Sequence, residues 1–543
     1  MPTDAPPDET PAPADAPLDL LATYARTQGD KTAVIVDRAG GAPPSVTSFD
    51  ELNRLVNRVA HGLIALGAEV GDRLVWCGPN SLEVIATIHA ARKTGLVAVP
   101  LSYRFHAEEM QYVVDNSDAT VVVVDAEQAP LIASIRDRLP RVRSCVVFGG
   151  PAPEGMHAWS DLLADAPDTE PPHRAEPGDI GAAMMYTSGT TGKPKGALRS
   201  SSDPTIVFAL LMELGLGGPE HVHLTTGPLY HSGPNAFHTL AHSLGNTIVV
   251  LRKFDAEAWL RIVGEYGVTN TFSAPTQLKR IVNQPRERID AADLSSMRCF
   301  IANAAPVPYP LKEEAIDVLG AGSWLYEVYG STELGIVTVL KPEDQLRKPG
   351  SCGQVFGGVG VRVVDDDGHD VPTGVPGELF ISTGIAMDGY HRTDEDVARL
   401  PGEPGVDGTG AIEWKSVGDV AYLDDERFVH ICDRKKDMII SGGVNIYPAE
   451  VEAVLHAHPD VLDAAVFGIP DDEWGESVYA IVQPKDGHTI DLDPLRDFVE
   501  ARLGRYQRPR GYEVRAELPR TESGKLLKRL LRDEFWGDRT SRI

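Results

Sequence analysis

The sequence predicts an α/β protein: a large N-terminal domain of two α/β subdomains plus a barrel-like section, with a small mobile α+β C-terminal domain. Three observations predict it. Short β-branched runs alternate with segments long enough to be helices through the first half of the chain, the pattern of parallel sheets with helical crossovers. From Val359 onward the strand candidates draw closer together with turn residues between them, as in antiparallel pairing. A length of 543 residues also exceeds what one core organises, so more than one folding unit is required.

The elements follow in order. Met1 to Pro17 is rich in Pro, Ala and Asp and reads as a disordered leader, with neither the basic nor the apolar region of a signal peptide. Ser48-Phe49-Asp50-Glu51 matches a capping box, and Leu52, Leu55, Val56, Val59, Leu63 and Leu66 then repeat at helical spacing up to Gly67. Strands are expected at Leu74 to Cys77, Leu96 to Val99, Thr120 to Val124 and Cys145 to Phe148. A second α/β rhythm places strands at Val222 to Thr225, Thr247 to Leu251, Thr269 to Phe272 and Arg298 to Ala302, with helices near Trp259 to Tyr266 and Leu311 to Leu319. The runs Val359 to Val364 and Gly377 to Ser382 form the closer-spaced section. Beyond Arg434 a unit of roughly a hundred residues carries strands at Ala464 to Ile469 and Val478 to Gln483 and a basic last helix near Lys525 to Phe535. The expected divisions are a leader over 1–17, a large domain over 18–435 and a small domain over 436–543.

A net charge of −28 opposes nucleic acid or an anionic membrane as the main partner. Cys77, Cys145, Cys299, Cys352 and Cys432 lie far apart with no metal or redox spacing, which suits a reducing compartment. No apolar run approaches the roughly 20 residues needed to span a bilayer, so no integral membrane association is expected and the location reads as cytoplasmic. The paired histidines His221/His223 and His456/His458 lack a third ligand for zinc.

The chemistry is carried first by Tyr186-Thr187-Ser188-Gly189-Thr190-Thr191-Gly192-Lys193-Pro194-Lys195-Gly196. Glycines let successive N–H groups converge on an anion, while hydroxyls and lysines add donors and positive charge. The spacing excludes the Walker pattern, and Pro194 stands where a Ser or Thr opening a helix would be needed. Four further segments follow in order: Pro228-Leu229-Tyr230-His231-Ser232-Gly233, Tyr329-Gly330-Ser331-Thr332-Glu333, Ser416-Val417-Gly418-Asp419, and Asp433 through Pro448. Pro519-Arg520-Thr521-Glu522-Ser523-Gly524-Lys525 closes the set. Taken singly, Glu333 reads as a surface carboxylate, Asp419 as a turn former and Lys525 as a solvated lysine.

In this order the set closely resembles the adenylate-forming superfamily, and within it the acyl-CoA synthetases, from about residue 18 to 536. The resemblance implies an enzyme that joins a carboxylic acid to CoA at the expense of ATP, through an acyl-adenylate, with ATP, CoA and Mg²⁺ at the site. It implies that Thr187, Ser188, Gly189, Thr190, Thr191, Gly192 and Lys193 cradle the β- and γ-phosphates and that Lys525 bridges carboxylate and α-phosphate. Thr332 would bond the α-phosphate, Glu333 would hold the metal, Asp419 the ribose hydroxyls, and Arg434 the same nucleotide edge. Ala304, Ala305, Pro306 and Tyr329 match the adenine-lining segments. Lys436 falls at the hinge position, and Ser441, Gly442, Gly443 and Asn445 on the loop that receives the thiol. Arginines of the C-terminal unit are candidates for the CoA phosphate.

Tyr230, His231, Asn235, Phe237, Ala302 and Asn303 match the acyl-pocket region of such enzymes, which implies a medium-to-large hydrophobic acid: fatty, alicyclic, aromatic or terpenoid. His231 either gates the acyl tunnel or satisfies a buried loop. No lysine or arginine stands in that set, which disfavours dicarboxylic acids, and Ile440 and Asn445 depart from the coumarate-type pattern. Rival readings are an enzyme loading a carrier protein, a ligase performing only the thioester half, and a non-catalytic sensor. A homodimer is left open.

Overall fold

A computed structural model of the chain describes residues 19–38, 43–172, 182–187, 193–404, 411–485, 487–520 and 526–537. The leader, Ser188 to Gly192 and Lys525 lie outside the described residues. The chain falls into two compact units, one from Met1–Ser201, Pro228–Arg252 and Asp388–Asp394, the other from Ser202–Gly227, Lys253–Met387 and Glu395–Ile543.

The first unit holds an eight-stranded sheet. Its centre is parallel: Arg73–Cys77 lies between Val97–Leu101 and Ala119–Asp125, and Ser144–Phe148 extends it. These strands are almost wholly apolar because helices cover the sheet, and Val75, Val99, Val122 and Val124 have no exposed surface. The helix Phe49–Ala65 begins with the expected box: Glu51 N–H donates to Ser48 Oγ at 3.2 Å, and Ser48 N–H to Glu51 Oε2 at 2.8 Å. Such a cap is worth about 1 kcal/mol. Leu52, Val56, Val59 and Leu63 form the buried face of this helix. Thr32–Asp37 pairs in parallel with Thr247–Leu251 and antiparallel with Ser45–Ser48.

In the second unit Val222–Thr225, Asn270–Ser273, Cys299–Ala302 and Leu325–Ser331 run parallel, and Gly335–Leu340 then returns antiparallel. The loops that carry Asn303 to Pro306 and Thr332-Glu333 thus leave the carboxyl ends of these strands, where α/β sheets place their ligands. The section expected to be antiparallel is so: Gly377–Ser382 pairs with Gly360–Val364 and with Asp419–Leu423, which pairs with Val429–Arg434. Further on, Val461–Asp471 and Gly475–Pro484 form a long hairpin packed on the helices Pro448–His456, Leu492–Glu500 and Lys528–Trp536. The two hairpin strands run longer than their sequence signal because Ser477 and Asp471 continue the pairing beyond the apolar run.

All five cysteines are buried and free. Among the described residues no helix is long and apolar enough to cross a membrane.

Candidate active site

In the first unit Ala183–Thr187 and Lys195–Arg199 pair antiparallel, with Thr187 opposite Lys195. The element that follows the glycine-threonine segment is thus a strand and not a helix, which agrees with the exclusion of a Walker strand-to-helix turn. Gly196 packs closely, since a Cβ there would lie 2.8 Å from Met184 Sδ and push that side chain aside. Lys193 Nζ sits 5.3 Å from the centre of the Tyr112 ring and Lys195 Nζ 5.2 Å from that of Tyr390, so aromatic faces hold both cations beside the loop.

Also in this unit, Tyr230 and His231 precede the helix Ser232–Ser243. Their rings are 4.6 Å apart, and Tyr103 meets Tyr230 edge-on at 5.5 Å. Tyr230 Oη and His231 Nε2 are buried without a hydrogen-bond partner among the described residues. Burial, assisted by the nearby Arg104 charge, lowers the His231 imidazole to about 4. The acyl set therefore has a cation close by that the sequence reading missed, because Arg104 comes from a segment far away in the chain. Phe237 is buried, and Asn235 serves the local backbone: its Nδ2 donates to Leu229 O at 2.9 Å, tying the helix start to the Pro228-Leu229 turn.

In the second unit the nucleotide-type residues come together. The Tyr329 hydroxyl donates to Asp419 Oδ2 at 2.5 Å, and Arg434 Nε lies 3.3 Å from Asp419 Oδ1. Asp419 and Arg434 are register partners on adjacent strands, and Asp419 is 6% exposed. Burial alone would pull the Arg434 guanidinium down, but Asp419, Asp437, Tyr329 and Glu333 together hold it above its ordinary value. Burial, then the Asp419 charge, pushes the Tyr329 phenol well up, so it remains a donor at neutral pH. Asp419 is thus a carboxylate fixed from two sides, with lone pairs left for further donors.

Past Tyr329 the strand turns sharply. A Cβ on Gly330 would come within 2.2 Å of Gly335 O, so only glycine fits. Ser331 Oγ accepts from Leu334 N–H at 3.1 Å, and Glu333 O accepts from Met387 N–H at 2.6 Å, which fixes the Thr332-Glu333 turn. Nearby in sequence, Ala302 is fully buried, and Asn303 Nδ2 donates to Val328 O at 2.5 Å. Ala304 then adopts φ +76°, a left-handed conformation that its Cβ disfavours by about 1–2 kcal/mol. Ala304 and Pro306 are exposed and Ala305 half-buried, leaving an open edge at this strained turn.

The hinge-position residue Lys436 is exposed. Asp433 accepts from Ala449 N–H at 3.1 Å and lies 3.8 Å from Lys528, which also pairs with Glu452 at 2.8 Å. Burial pushes the Asp433 carboxyl up to about 6 although Lys528 opposes it. Although the residue as a whole is exposed, partial desolvation of its amine and then the Arg434 charge lower the Lys436 ammonium.

Ser441 to Val444 is a two-residue hairpin turn, with Ser441 opposite Val444 and both glycines at positive φ, 58° for Gly442 and 80° for Gly443. Gly442 N–H donates to Trp474 O at 2.8 Å, and a Cβ on Gly442 would meet the Trp474 ring at 2.5 Å. Gly443 has open space around it, and Val444 and Asn445 are exposed. Arg510 stands 5.0 Å over the Trp474 ring. The sequence reading singled out neither this tryptophan nor that arginine as its mate. Most arginines offered there for the CoA phosphate are engaged with carboxylates: Arg508 with Glu500, Arg510 with Asp471 at 3.4 Å, Arg515 with Glu513 and Glu534, and Arg520 with Asp463.

Among the described residues the one group able to offer three metal ligands within reach is Asp365, Asp367 and His369, all exposed. The paired histidines are absorbed structurally, His223 by Asn270 at 2.6 Å and His456 by Asp463 at 3.2 Å.

An α/β scaffold with a lysine-bearing antiparallel strand pair and a Tyr-Asp-Arg cluster at strand ends has the parts of an adenylate-forming protein. The profile of the AMP-binding enzyme family matches residues 21–391 and that of the AMP-binding enzyme C-terminal domain residues 450–525. The chain belongs to this family, as an AMP-forming acyl-CoA synthetase. It is 37% identical to a feruloyl-CoA synthase of an Amycolatopsis species, over 94% of this chain and 97% of that protein. It is 35% identical to indoleacetate–CoA ligase of Aromatoleum aromaticum, over 91% and 96% respectively. Among solved structures, the anthranilate CoA ligase AuaEII in complex with anthranoyl-AMP matches with a TM-score of 0.82 and 25% identity, covering 95% of this chain and 96% of that one.

Proposed function

We propose that this enzyme activates a bulky, ring-bearing carboxylic acid as its adenylate and passes the acyl group to CoA. The observation that carries the nucleotide half is the Tyr329–Asp419–Arg434 cluster, a buried carboxylate held by a phenol and a guanidinium. Asp419 accepts the ribose hydroxyls, and the Tyr329 ring packs against adenine beside Ala304, Ala305 and Pro306. Thr187 to Lys193 holds the outer phosphates and Thr332 the α-phosphate. Carboxylate and triphosphate repel one another, so Lys525 and the loop lysine must be in place before the bond forms. Glu333 offers the hard oxygen donor that Mg²⁺ requires, and the ion would neutralise phosphate charge.

The aromatic surroundings of Tyr230, His231 and Tyr103 support a ring-bearing acid, as do relatives named for ferulic, indoleacetic and anthranilic acids. Hydroxycinnamates belong in the test panel despite Ile440 and Asn445. A free thiol as acceptor is supported by the exposed Trp474 ring under Arg510 next to the Gly442-Gly443 turn, which suits a nucleotide-bearing thiol. Rotation about Lys436 exchanges Lys525 for this turn between the half-reactions. Five free buried cysteines accord with a cytoplasmic location.

The test is a panel of aryl, alicyclic and fatty acids assayed separately for pyrophosphate release and for CoA thioester. Aryl acids should lead in both. Activity with a holo-carrier protein and none with CoA would overturn the acceptor, and silence in the first assay with activity on synthetic adenylates would overturn the adenylation half.

A further inference from the structure

Lys312 and Glu327 are 2% and 6% exposed, yet neither belongs to any motif of the family resemblance. Lys312 lies on the helix Tyr309–Leu319 and Glu327 on the strand Leu325–Ser331, two residues before Tyr329 and on the same face of that strand. Lys312 Nζ is 2.5 Å from Glu327 Oε2. The other carboxylate oxygen, Oε1, accepts from the Val307 N–H at 3.2 Å.

That bond has unusual leverage. Val307 stands between Pro306 and Pro308, so its N–H is the one backbone donor between Ala305 and Tyr309. The loop has no other main-chain donor there with which to bind the sheet. At its upstream end Asn303 is anchored to Ser273 O and Val328 O, and immediately after it Ala304 is held at φ +76° against its own preference. A loop forced into that conformation persists only if both ends are restrained. Asn303 restrains one and Glu327 the other. Burying two charges is a poor way to gain stability, since an apolar pair of similar volume often does as well. An orienting role accounts better for the pair: Lys312 fixes the rotamer of Glu327, and Glu327 fixes the loop.

We propose that Lys312 and Glu327 are positioning residues for ATP, setting the Ala304-Ala305-Pro306 edge against the Tyr329 ring through the Val307 N–H. The inference rests on the nucleotide reading given above.

Two double variants of the full chain separate positioning from mere packing. Both remove the two buried charges together. K312M/E327Q keeps an oxygen for the Val307 N–H, whereas K312M/E327L has none. Isothermal titration with Mg–ATP, without acid or CoA, should find both weaker than wild type because each lacks the Lys312 contact, and the second about 10-fold weaker than the first, the factor associated with one hydrogen bond. Thiolysis of a supplied acyl-adenylate should keep its KM for CoA in both. Should K312M/E327L fail to fold, K312M/E327M replaces it with a side chain of the original length. Equal ATP affinity in the oxygen-keeping and oxygen-lacking variants, at matched thermal stability, would overturn the proposal. Failure of wild type itself to bind ATP would instead overturn the nucleotide reading, and this proposal with it.

Discussion

Tyr329→Phe removes one oxygen and leaves the ring, so it isolates the phenol's grip on Asp419 from the ring's packing. A hydrogen bond to a charged acceptor contributes about 1.5–3 kcal/mol. Not all of it is lost here, because Arg434 still stands 3.3 Å from the other carboxylate oxygen and water can enter at the vacated side. About half of the upper end of that range, roughly 1.4 kcal/mol, corresponds to a tenfold rise in KM for ATP. The assay is pyrophosphate release at saturating acid over a range of ATP concentrations, with thiolysis of supplied acyl-adenylate as the control. The phenol is pushed well above its ordinary value, so wild type should show no loss of ATP affinity from this group between neutral pH and about pH 9. Tyr329→Ala, which removes ring and hydroxyl, should be worse than Tyr329→Phe. If Tyr329→Phe matches wild type in KM for ATP while Tyr329→Ala is impaired, the ring alone matters and the proposed fixing of Asp419 is wrong.

Lys525→Ala should abolish acyl-adenylate formation while sparing thiolysis of a supplied adenylate; equal loss of both in the two separate assays would contradict its role. Gly442→Ala should slow the thioester step by about tenfold or more, because the new Cβ strikes the Trp474 ring at 2.5 Å, while Gly443→Ala carries only the conformational cost and should be milder. Parallel single-turnover thiolysis rates check the order. His231, lowered to about 4, contributes stability that is complete above its ordinary value of 6.5 and lost as pH falls through about 4, so His231→Phe should flatten the acid limb of a thermal-melt series. Asp433 is raised to about 6, so the sign reverses: its contribution is complete below the unfolded value near 4 and lost as pH rises through about 6. Asp433→Asn should therefore melt higher relative to wild type at about pH 7 than at about pH 5; a constant difference would refute the assignment.

Local chemistry made much of this protein readable in advance. The capping box at Ser48 and Glu51, the parallel strands of the first unit and the exclusion of a Walker turn all depend on neighbours within a few residues, and each has its counterpart in the structure. What escaped depends on residues brought together by sheet order. Tyr329 reads as a flat ring until its hydroxyl is found on Asp419, ninety positions away. Trp474 reads as an ordinary tryptophan until the second hairpin sets it against Gly442. The C-terminal arginines look like a phosphate patch because composition counts charges without their partners, and most of those partners are carboxylates of the same unit. Ala304 gives no signal at all, since an alanine carries no mark of the left-handed conformation it is made to adopt.

The burial of all five cysteines matters to an enzyme of this chemistry. An acyl-adenylate is a mixed anhydride, and any thiolate in reach would take the acyl group. Burial raises each of these thiols, Cys352 and Cys432 to about 12 and Cys77, Cys145 and Cys299 in the same direction. The chain thus offers its own intermediate no competent sulfur nucleophile, and is protected from acylating itself while it waits for the thiol of its co-substrate.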